Sequence, residues 1–262
     1  MSLPDRIVCL TSETVEVLYA LGEEHRIVGV TGYATIPPRV RKEKPKVWAF
    51  ASGKLDKVLA VKPDLALAFS DLQADLCRDL IKAGIAVHCF NQRDVAGILD
   101  MITTVGRLVG AQAKAEALVA ELQATIAATR AAAAQLQRRP RVWIEEWDEP
   151  LIGGIRWAAE LVEIAGGELV APELHAAHAA RERFADPARI AALAPDMIIG
   201  SWCGKRFVPD HVSKRPGWQD VPAVRNGALY EIKSAILLAP GPAVIREALP
   251  AVAKLIAGWA VR

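Results

Sequence analysis

The chain has 262 residues, 52% hydrophobic and 24% charged, and its 32 basic and 30 acidic residues leave a net charge of +2. This length allows one large domain or two modest ones, with a core that needs no metal or disulfide. Basic and acidic residues are interleaved, as in Arg41-Lys42-Glu43-Lys44, so no basic stripe indicates nucleic-acid binding. The few aromatic residues include 7 Trp, which supply flat apolar area with one hydrogen-bond donor each.

The N-terminal residues show no export signal in the sequence as it stands. The only apolar run there, Ile7–Leu10, is too short for a signal peptide or a membrane span. We therefore expect a chain that is either cytoplasmic or already trimmed.

The four cysteines are Cys9, Cys77, Cys89 and Cys203. They show no CxxC spacing and lie mostly within apolar runs. This pattern favours buried small side chains over a disulfide framework or a zinc site. We predict no metal site.

Short apolar runs alternate with amphipathic stretches along the chain, a pattern typical of parallel β/α units. The predicted strands are Arg6–Leu10, Ile27–Val30, Leu65–Phe69, Ala86–Phe90, Arg141–Glu145, Met197–Gly200 and Ala228–Glu231. The predicted helices are Glu13–Leu21, Lys54–Val61, Leu72–Ala83, Val95–Gly110, Trp157–Ala165, Pro187–Ala194 and Ala243–Trp259. Turn residues such as Gly22, Gly84 and Pro63 separate many of these elements.

One long segment breaks this alternation. Residues 111–138 contain no Gly or Pro, are rich in Ala, and repeat Leu118, Leu122 and Ile126 at a spacing of four, before Pro140. A helix of this length measures about 40 Å. We therefore predict an N-terminal α/β lobe at residues 1–110, a rigid linking helix at 111–138 and a C-terminal α/β lobe at 139–262.

An internal repeat also favours two lobes. Lys57–Ser70 and Arg189–Trp202 match at a constant offset of 132, with Pro63-Asp64 opposite Pro195-Asp196. Each copy has the pattern of a helix, a Pro-Asp turn and a strand. The predicted fold is α/β, with two Rossmann-like lobes containing parallel sheets and joined by one long helix. In such sheets ligands bind beyond the carboxyl ends of the strands, here in a cleft between the lobes.

The residues that follow the predicted strands are unusual. Thr11 and Ser12 come after the first strand, cap the next helix and leave free backbone N–H groups toward the cleft. Aromatic residues occupy equivalent positions at Tyr33, Trp48, Phe69, Phe90, Trp147 and Trp202. Core packing explains each aromatic taken alone, whereas the set favours a wall for a large, flat, partly apolar ligand. No strand end begins with the Arg or Lys expected for an anionic siderophore, and Lys205-Arg206 is the only basic pair nearby.

Catalytic interpretations find less support. Glu145 and Glu146 are neighbours on a strand and point to opposite faces, so they cannot share a proton or a metal unless a bulge intervenes. His175 and His178 have the spacing of two ligands on one helix face, but without a third ligand a solvated Ala-rich segment is favoured over zinc. Cys203 has no His near it in the sequence, which favours a simple strand-end residue over a reactive thiol. We predict no catalytic residue and no intrinsic cofactor.

Several segments together resemble the cobalamin-binding proteins among the periplasmic-type substrate-binding components of ABC importers. They are Arg6–Pro38, Leu55–Leu67, the long helix, Ile144–Val170 and Ile198–Trp218. The EEW, PLI and SWCG stretches are similar to those of the cobalamin branch. The resemblance implies a class III periplasmic binding protein-like fold, cobalamin or a related corrinoid as ligand, and delivery to a permease with its ATPase.

The resemblance also implies roles for individual residues. Family members hold the corrin edge-on with strand-end aromatics, which match Tyr33, Phe69, Phe90 and Trp202 by position, with Trp48 and Trp147 as additions. The predicted ligand-binding set also includes Thr11, Ser12, Glu146 and Cys203. Family members dock onto permease arginines through one acid on each lobe, which matches Asp75 and, in the second lobe, Asp210. We expect a monomer, located in the periplasm as in the family.

Three alternatives stay open. A chain without an export signal would be a cytoplasmic corrinoid carrier. A siderophore, haem or metal-binding transport protein on the same scaffold would need ligands from both lobes, and His88 and Glu145 or Glu146 are the only candidates. An enzyme of corrinoid salvage would use Glu146 or Cys203.

Overall fold

A computed structural model describes residues 3–261, which form two compact units. The N-terminal unit contains the chain up to Gln92 together with Ala96–Leu122. The C-terminal unit contains Arg93–Val95 and the chain from Gln123 onward.

The N-terminal unit is built on a parallel sheet of five strands. Its strands are β1 (Ile7–Cys9), β2 (Ile27–Thr31), β3 (Lys46–Trp48), β4 (Leu65–Phe69) and β5 (Ala86–Phe90). They lie in the order β3-β2-β1-β4-β5, so β5 is an edge strand. The helices here are α1 (Ser12–Ala20), α2 (Val40–Glu43), α3 (Leu55–Ala60), α4 (Ala74–Lys82) and α5 (Val95–Leu108). Short 3-10 turns cover Glu24–Arg26 and Asp71–Gln73.

The long Ala-rich segment forms α6 (Gln112–Ala133), whose first residues cluster with the N-terminal unit and whose residues from Gln123 cluster with the C-terminal unit. The helix ends before the predicted residue 138, because the amides of Gln135 and Leu136 bond to carbonyls only three residues back. No helix within residues 3–261 is both long and apolar enough to cross a membrane.

The C-terminal unit is built on a mixed sheet. Its strands are β6 (Arg141–Asp148), β7 (Leu151–Gly153), β8 (Glu168–Leu169), β9 (Met197–Gly200) and β10 (Leu229–Glu231). They lie in the order β10-β9-β6-β7, with β8 also paired to β6. The β6–β7 hairpin is antiparallel and the other pairs are parallel. The hairpin departs from the wholly parallel sheet that we predicted, because β6 continues beyond Glu145 and turns back through β7.

Most helices of the C-terminal unit are short. They are α7 (Arg156–Ile164), α8 (Pro172–His175), α9 (Pro187–Ala192), α10 (Pro209–Ser213), α11 (Pro222–Arg225), α12 (Ser234–Leu237) and α13 (Leu249–Ala260). A 3-10 turn covers Ala180–Arg183, and a π-helical turn at Val244–Ala248 leads into α13. Prolines occupy the first helical positions of α8, α9, α10 and α11, where a missing N–H group is tolerated.

The Pro-Asp repeat predicted from the sequence is confirmed in three dimensions. The first copy forms α3 and β4 beside β1, and the second forms α9 and β9 beside β6. The Asp64 carboxylate accepts the backbone N–H of Arg6 at 3.1 Å, and the Asp196 carboxylate accepts that of Arg141 at 2.9 Å. Each aspartate therefore fixes the start of the strand that neighbours its own.

Candidate functional site

The six predicted aromatic residues fall into three pairs on neighbouring strands. The pairs are Tyr33 with Trp48, Phe69 with Phe90, and Trp147 with Trp202. Phe69 and Phe90 are opposite each other in the β4–β5 register. Trp202 follows β9 next to β6, where the Ser201 amide donates to the Glu145 carbonyl at 2.8 Å. Each sheet thus brings the two members of a pair to the ends of neighbouring strands.

Solvent exposure separates these aromatics into two groups. Tyr33 is 59% exposed, whereas Phe69, Phe90 and Trp202 retain only 6%, 7% and 1%. Trp48 and Trp147 are half-buried. Tyr33, Trp48 and Trp147 therefore expose part of their rings to solvent. The rings of Phe69, Phe90 and Trp202 pack inside their units.

Trp48 is held in a fixed position by its own loop. Its indole N–H donates to the Phe50 carbonyl at 3.3 Å. Gly53 lies against the ring so closely that a Cβ atom there would come within 2.3 Å of Trp48 Cε3. A glycine is thus required at position 53 for this indole orientation.

A buried glutamine that the sequence did not single out ties three strand ends together. Gln73 accepts the Phe69 amide at 3.0 Å and donates to the Leu10 carbonyl at 3.1 Å and the Phe50 carbonyl at 2.8 Å. These carbonyls and this amide belong to the chain at the ends of β1, β3 and β4. Gln73 therefore positions the strand ends that carry Trp48 and Phe69. In the sequence, Gln73 can be recognised only as a polar residue shortly after a predicted strand.

Ser70, immediately after β4, has an unusual backbone conformation. It is a non-glycine residue with φ of 62°, and its hydroxyl accepts the Leu72 amide at 3.3 Å. Such strained conformations persist where the surrounding structure enforces them. The bend at Ser70 directs the chain into the turn that supplies Gln73.

The residues after β1 are buried rather than open. Thr11 occupies the N-cap position of α1, but its side chain makes no capping hydrogen bond and its oxygen lies 3.4 Å from that of Thr14. The predicted side-chain cap is therefore wrong, because the hydroxyl is used within the same turn. Ser12 is half-buried and begins α1.

Glu13 is a buried carboxylate at the start of α1. Its Oε1 atom has no hydrogen-bond partner among the described residues. Burial raises the pKa of Glu13 to about 7, although hydrogen bonds from its own backbone amide and from Thr11 act in the opposite direction. The folded protein therefore holds a proton here that an unfolded chain releases near pH 4.5.

Replacing Glu13 with Gln is expected to stabilise the protein at alkaline pH. Between the unfolded and folded pKa values, stability falls as pH rises, because the unfolded chain has released a proton that the folded chain retains. An uncharged amide avoids this loss, so Glu13→Gln should gain about 2–3 kcal/mol over the parent above pH ~8 and little near pH ~4. Urea unfolding at the two pH values measures the difference. The exposed Glu163→Gln is the control, and an equal gain at both pH values would contradict the account.

In the C-terminal unit, Glu145 is fully buried and fully paired. Its carboxylate receives two hydrogen bonds from the Arg215 guanidinium, at 2.7 Å and 2.6 Å. The indole N–H groups of Trp202 and Trp143 donate to the same carboxylate at 3.0 Å and 3.3 Å. Trp202 therefore joins the EEW and SWCG segments inside the unit.

Glu146 pairs with a different arginine. Buried Arg183 donates to the Glu146 carboxylate and to the Gly153 carbonyl. The β6–β7 pairing has the irregularity between Glu145 and Trp147 that a bulge produces. Even so, the two glutamates do not share a partner, because Glu146 pairs with Arg183 and Glu145 with Arg215. This arrangement leaves neither carboxylate free to act as an acid or a base.

Trp147 carries a cation on its ring. Lys205 Nζ lies 4.1 Å from the Trp147 ring centroid and 4.8 Å from that of Trp202, and it pairs with the Asp148 carboxylate. The Trp147 indole N–H donates to the Glu149 carbonyl at 2.9 Å. Lys205 therefore neutralises Asp148 and fixes the Trp147 ring.

The remaining candidate residues, Cys203, His175 and His178, do not come together in one site. Cys203 is exposed, and desolvation followed by the nearby Glu146 raises the pKa of its thiol, so little thiolate forms at neutral pH. His175 is not solvated as predicted: it is buried with its ring nitrogens facing the Gly154 and Val170 carbonyls, and α8 ends before His178. Within residues 3–261, no group of three or more His, Cys, Asp or Glu side chains could hold a metal ion.

The cysteines only partly follow the sequence prediction. Cys9 and Cys77 are buried, whereas Cys89 and Cys203 are exposed. Cys89 is exposed because β5 is the edge strand of its sheet, which the apolar run in the sequence does not reveal.

The two predicted docking acids are exposed in the first turns of their helices. Asp75 lies in α4 and pairs with Arg78 at 2.8 Å. Asp210 lies in α10 and pairs with Lys214 at 2.8 Å, and this hydrogen bond lowers the pKa of Asp210. Both carboxylates are accessible from solvent.

Comparison with protein families gives a match over most of the chain. The family described as periplasmic binding protein matches residues 7–236. The chain belongs to the periplasmic binding protein family. Because the match covers both units, it applies to the chain as a whole rather than to one lobe.

Curated relatives of this periplasmic binding protein include one uncharacterised lipoprotein and proteins described as binding cobalamin or vitamin B12. An uncharacterised ABC transporter substrate-binding lipoprotein of Bacillus subtilis, YvrC, is 29% identical over 92% of this chain and 77% of its own length. A cobalamin-binding protein of Halobacterium salinarum is 28% identical over 66% of this chain and 48% of its own length. The chain thus spans about half the length of that archaeal relative. A vitamin B12-binding protein of Vibrio vulnificus is 23% identical over 91% of this chain and 85% of its own length.

Solved structures share the fold of this periplasmic binding protein. The haem-binding protein RhuT of Roseiflexus sp. RS-1 superposes with a TM-score of 0.83 at 22% identity, over 98% of each chain. The vitamin B12-binding protein BtuF of Vibrio cholerae superposes with a TM-score of 0.78 at 17% identity, over 99% of each chain. The predicted two-lobe α/β fold class is confirmed. These identities show the fold and leave the ligand open.

Proposed function

We propose that this protein is the substrate-binding component of an ABC importer and that it captures cobalamin or a related corrinoid. The carrying observation is the set of ring surfaces at the strand ends, namely Tyr33, Trp48 and Trp147. Relatives described as cobalamin-binding and vitamin B12-binding proteins support the choice of ligand.

Flat apolar contact is the interaction that these residues offer. Tyr33 is exposed. Trp48 and Trp147 are each held by an indole hydrogen bond, so the orientation of these two rings is set before a ligand binds. Preorganised aromatic rings bind with little loss of side-chain entropy. Buried Trp202 shares the Lys205 cation with Trp147, which links the Trp147 surface to the inside of its unit.

The charges near the rings favour a ligand with little net charge. Lys205 is already paired with Asp148 and stacked on Trp147, and buried Arg183 and half-buried Arg215 are held by glutamates. A polyanionic ligand would require free cations at the strand ends. A corrin ring with amide side chains requires apolar area and hydrogen-bonding groups instead.

Co-elution tests the proposal directly. Purified protein is mixed with cyanocobalamin and separated by gel filtration, and the corrin absorbance is measured in the protein fraction. We expect corrin absorbance to elute with the protein. Its absence at micromolar concentrations of both components would contradict the proposal.

Replacing Trp147 with Ala is expected to weaken corrinoid binding at least tenfold, which corresponds to about 1.4 kcal/mol. The variant removes a half-buried ring at the end of β6 that packs against the edge of the C-terminal core, so its melting temperature is measured beside its affinity. Isothermal titration calorimetry measures the change. The matched control is Trp259→Ala, which removes another half-buried Trp that also carries a cation, Arg138 at 4.7 Å, but belongs to α13. Equal loss in the two variants would contradict the assignment of Trp147.

A haem carrier is the second candidate, and Tyr33 favours it. A Tyr oxygen can hold haem iron, and the Tyr33 phenol is exposed with no hydrogen-bond partner among the described residues. If haem is the ligand, Tyr33→Phe should abolish the haem absorbance of the loaded protein. If a corrinoid is the ligand, Tyr33→Phe should change its affinity little, because the ring is kept.

Delivery to a permease and its ATPase is the second half of the proposed function. Asp75 and Asp210 each present an exposed carboxylate on a different unit, as docking to basic residues of a partner requires. In an importer reconstituted from the cognate permease and ATPase, Asp75→Lys with Asp210→Lys should abolish stimulation of ATP hydrolysis while ligand affinity is kept. Unchanged stimulation would contradict this docking, and no stimulation by the parent would favour a corrinoid carrier that acts without a permease.

The proposed function contains no chemical step. Both glutamates of the EEW segment are paired with arginines, and the Cys203 thiol is poorly ionised. Mass spectrometry of the bound corrinoid after incubation should show the same compound that was added. A converted corrinoid would instead indicate an enzyme of corrinoid salvage.

A further inference from the structure

Two cysteines from different elements meet at the outer edge of the N-terminal sheet. Cys77 is buried on α4, and Cys89 is exposed on the edge strand β5 against which α4 packs. Both line one open cavity of 630 Å³, together with Arg78 and Ile81 of α4. The cavity gives a small reagent access to both thiols.

The two thiols also influence each other. Burial, followed by the adjacent Cys89 thiol, raises the pKa of Cys77 to about 11. Cys89 Sγ lies 3.6 Å from the carbonyl oxygen of Ser70, which lines the same cavity. The remaining cysteines, Cys9 and Cys203, are not among the residues that line this cavity.

We propose that Cys77 and Cys89 form an intramolecular disulfide that joins α4 to the edge strand β5. The bond would close a short loop, since the two residues are twelve positions apart in the sequence. It would fix α4 against an edge strand that, within residues 3–261, no further strand covers on its outer side. The proposal concerns the N-terminal unit and does not depend on which ligand the protein binds.

The reaction is thiol–disulfide exchange with a small-molecule disulfide such as oxidised glutathione. The exposed Cys89 thiolate attacks one sulfur of the oxidant, forms a mixed disulfide and releases one glutathione thiolate. The Cys77 thiolate then attacks the Cys89 sulfur and releases the second glutathione. Two protein thiols lose two protons and two electrons, and one glutathione disulfide is reduced to two thiols.

Thiol counting and peptide mapping test the proposal. The reduced protein, with its four cysteines, is incubated with oxidised glutathione at mildly alkaline pH, denatured, and its free thiols are alkylated. We expect two thiols to disappear, the intact mass to fall by two hydrogen atoms, and one crosslinked peptide pair to contain Cys77 and Cys89. Cys203→Ser, which removes the other exposed thiol, should leave the crosslink unchanged.

Cys89→Ser supplies the second variant, because an exposed position tolerates the change. It should prevent the crosslink, and oxidation should then leave its melting temperature unchanged, whereas the parent should melt about 5 °C higher when oxidised. A persistent glutathione adduct at Cys89, a crosslink that involves Cys203, or four free thiols after oxidation would each overturn the proposal.

Discussion

Replacing Glu145 with Ala is expected to lower the free energy of unfolding by about 3–5 kcal/mol. Glu145 is fully buried and accepts hydrogen bonds from Arg215 and from two indoles, those of Trp202 and Trp143. Its removal leaves a guanidinium and two N–H groups inside the unit without an acceptor. Such unpaired buried groups cost more than the lost contacts themselves.

Urea unfolding followed by circular dichroism measures this effect. The control is Glu149→Ala, four residues along the same hairpin, whose side chain is exposed and which should change stability by about 0.5 kcal/mol or less. The double variant Glu145→Ala with Arg215→Ala should lose less than the sum of the single losses, because it leaves no unpaired charge. Similar losses for Glu145→Ala and Glu149→Ala would show that the buried pair is not what stabilises the unit.

Replacing Gln73 with Leu is expected to destabilise the N-terminal unit by about 3–5 kcal/mol, because three hydrogen bonds to backbone groups are lost. The amide side chain of Gln73 bonds to Phe69, Leu10 and Phe50 at three separate strand ends. Leu has a similar volume, so the change isolates the hydrogen bonds from the packing. Ligand affinity should also fall, because Trp48 depends on the Phe50 carbonyl that Gln73 holds.

Unfolding and ligand titration of the same variant measure the two parts of this expectation. Gln123→Leu is the control, since Gln123 is exposed on α6 and the substitution should leave both stability and affinity nearly unchanged. A Gln73→Leu protein as stable as the Gln123→Leu protein would contradict the role assigned to Gln73.

Apolar pattern and turn residues were sufficient to predict much of the fold. The bounds of β4, β5 and β9 agree with the predicted segments, because each is a short apolar run between turn residues. The β6–β7 hairpin was missed because the end of β6 is acidic and its partner has only three residues. Charged residues at the end of a strand have the pattern of a loop in the sequence, because their salt-bridge partners lie far away in the chain.

The site was less predictable than the fold, for reasons seen in particular residues. A strand-end position says which edge of the sheet a residue occupies, but not whether its side chain turns inward. Tyr33 and Trp202 both follow strands, yet one is exposed and the other is buried against Glu145. The partners Arg183 and Arg215 lie 37 and 70 residues from the glutamates that they bind, so spacing could not reveal them.

The EEW and SWCG segments illustrate the same difficulty. They resemble cobalamin-binding proteins, but Glu145 and Trp202, one from each segment, bond to each other inside the C-terminal unit. Part of the resemblance therefore concerns the packing of this unit. Trp147, with its half-buried ring, is the residue of these segments that we propose to contact the ligand.

A calorimetric titration of the purified protein with cyanocobalamin, with haem as the parallel titrant, tests the central claim most directly. We predict a saturable heat with one corrinoid bound per chain and a dissociation constant in the micromolar range or tighter, together with weaker binding of haem. No heat with cyanocobalamin, or tight binding of haem alone, would contradict the claim that these strand ends bind a corrinoid.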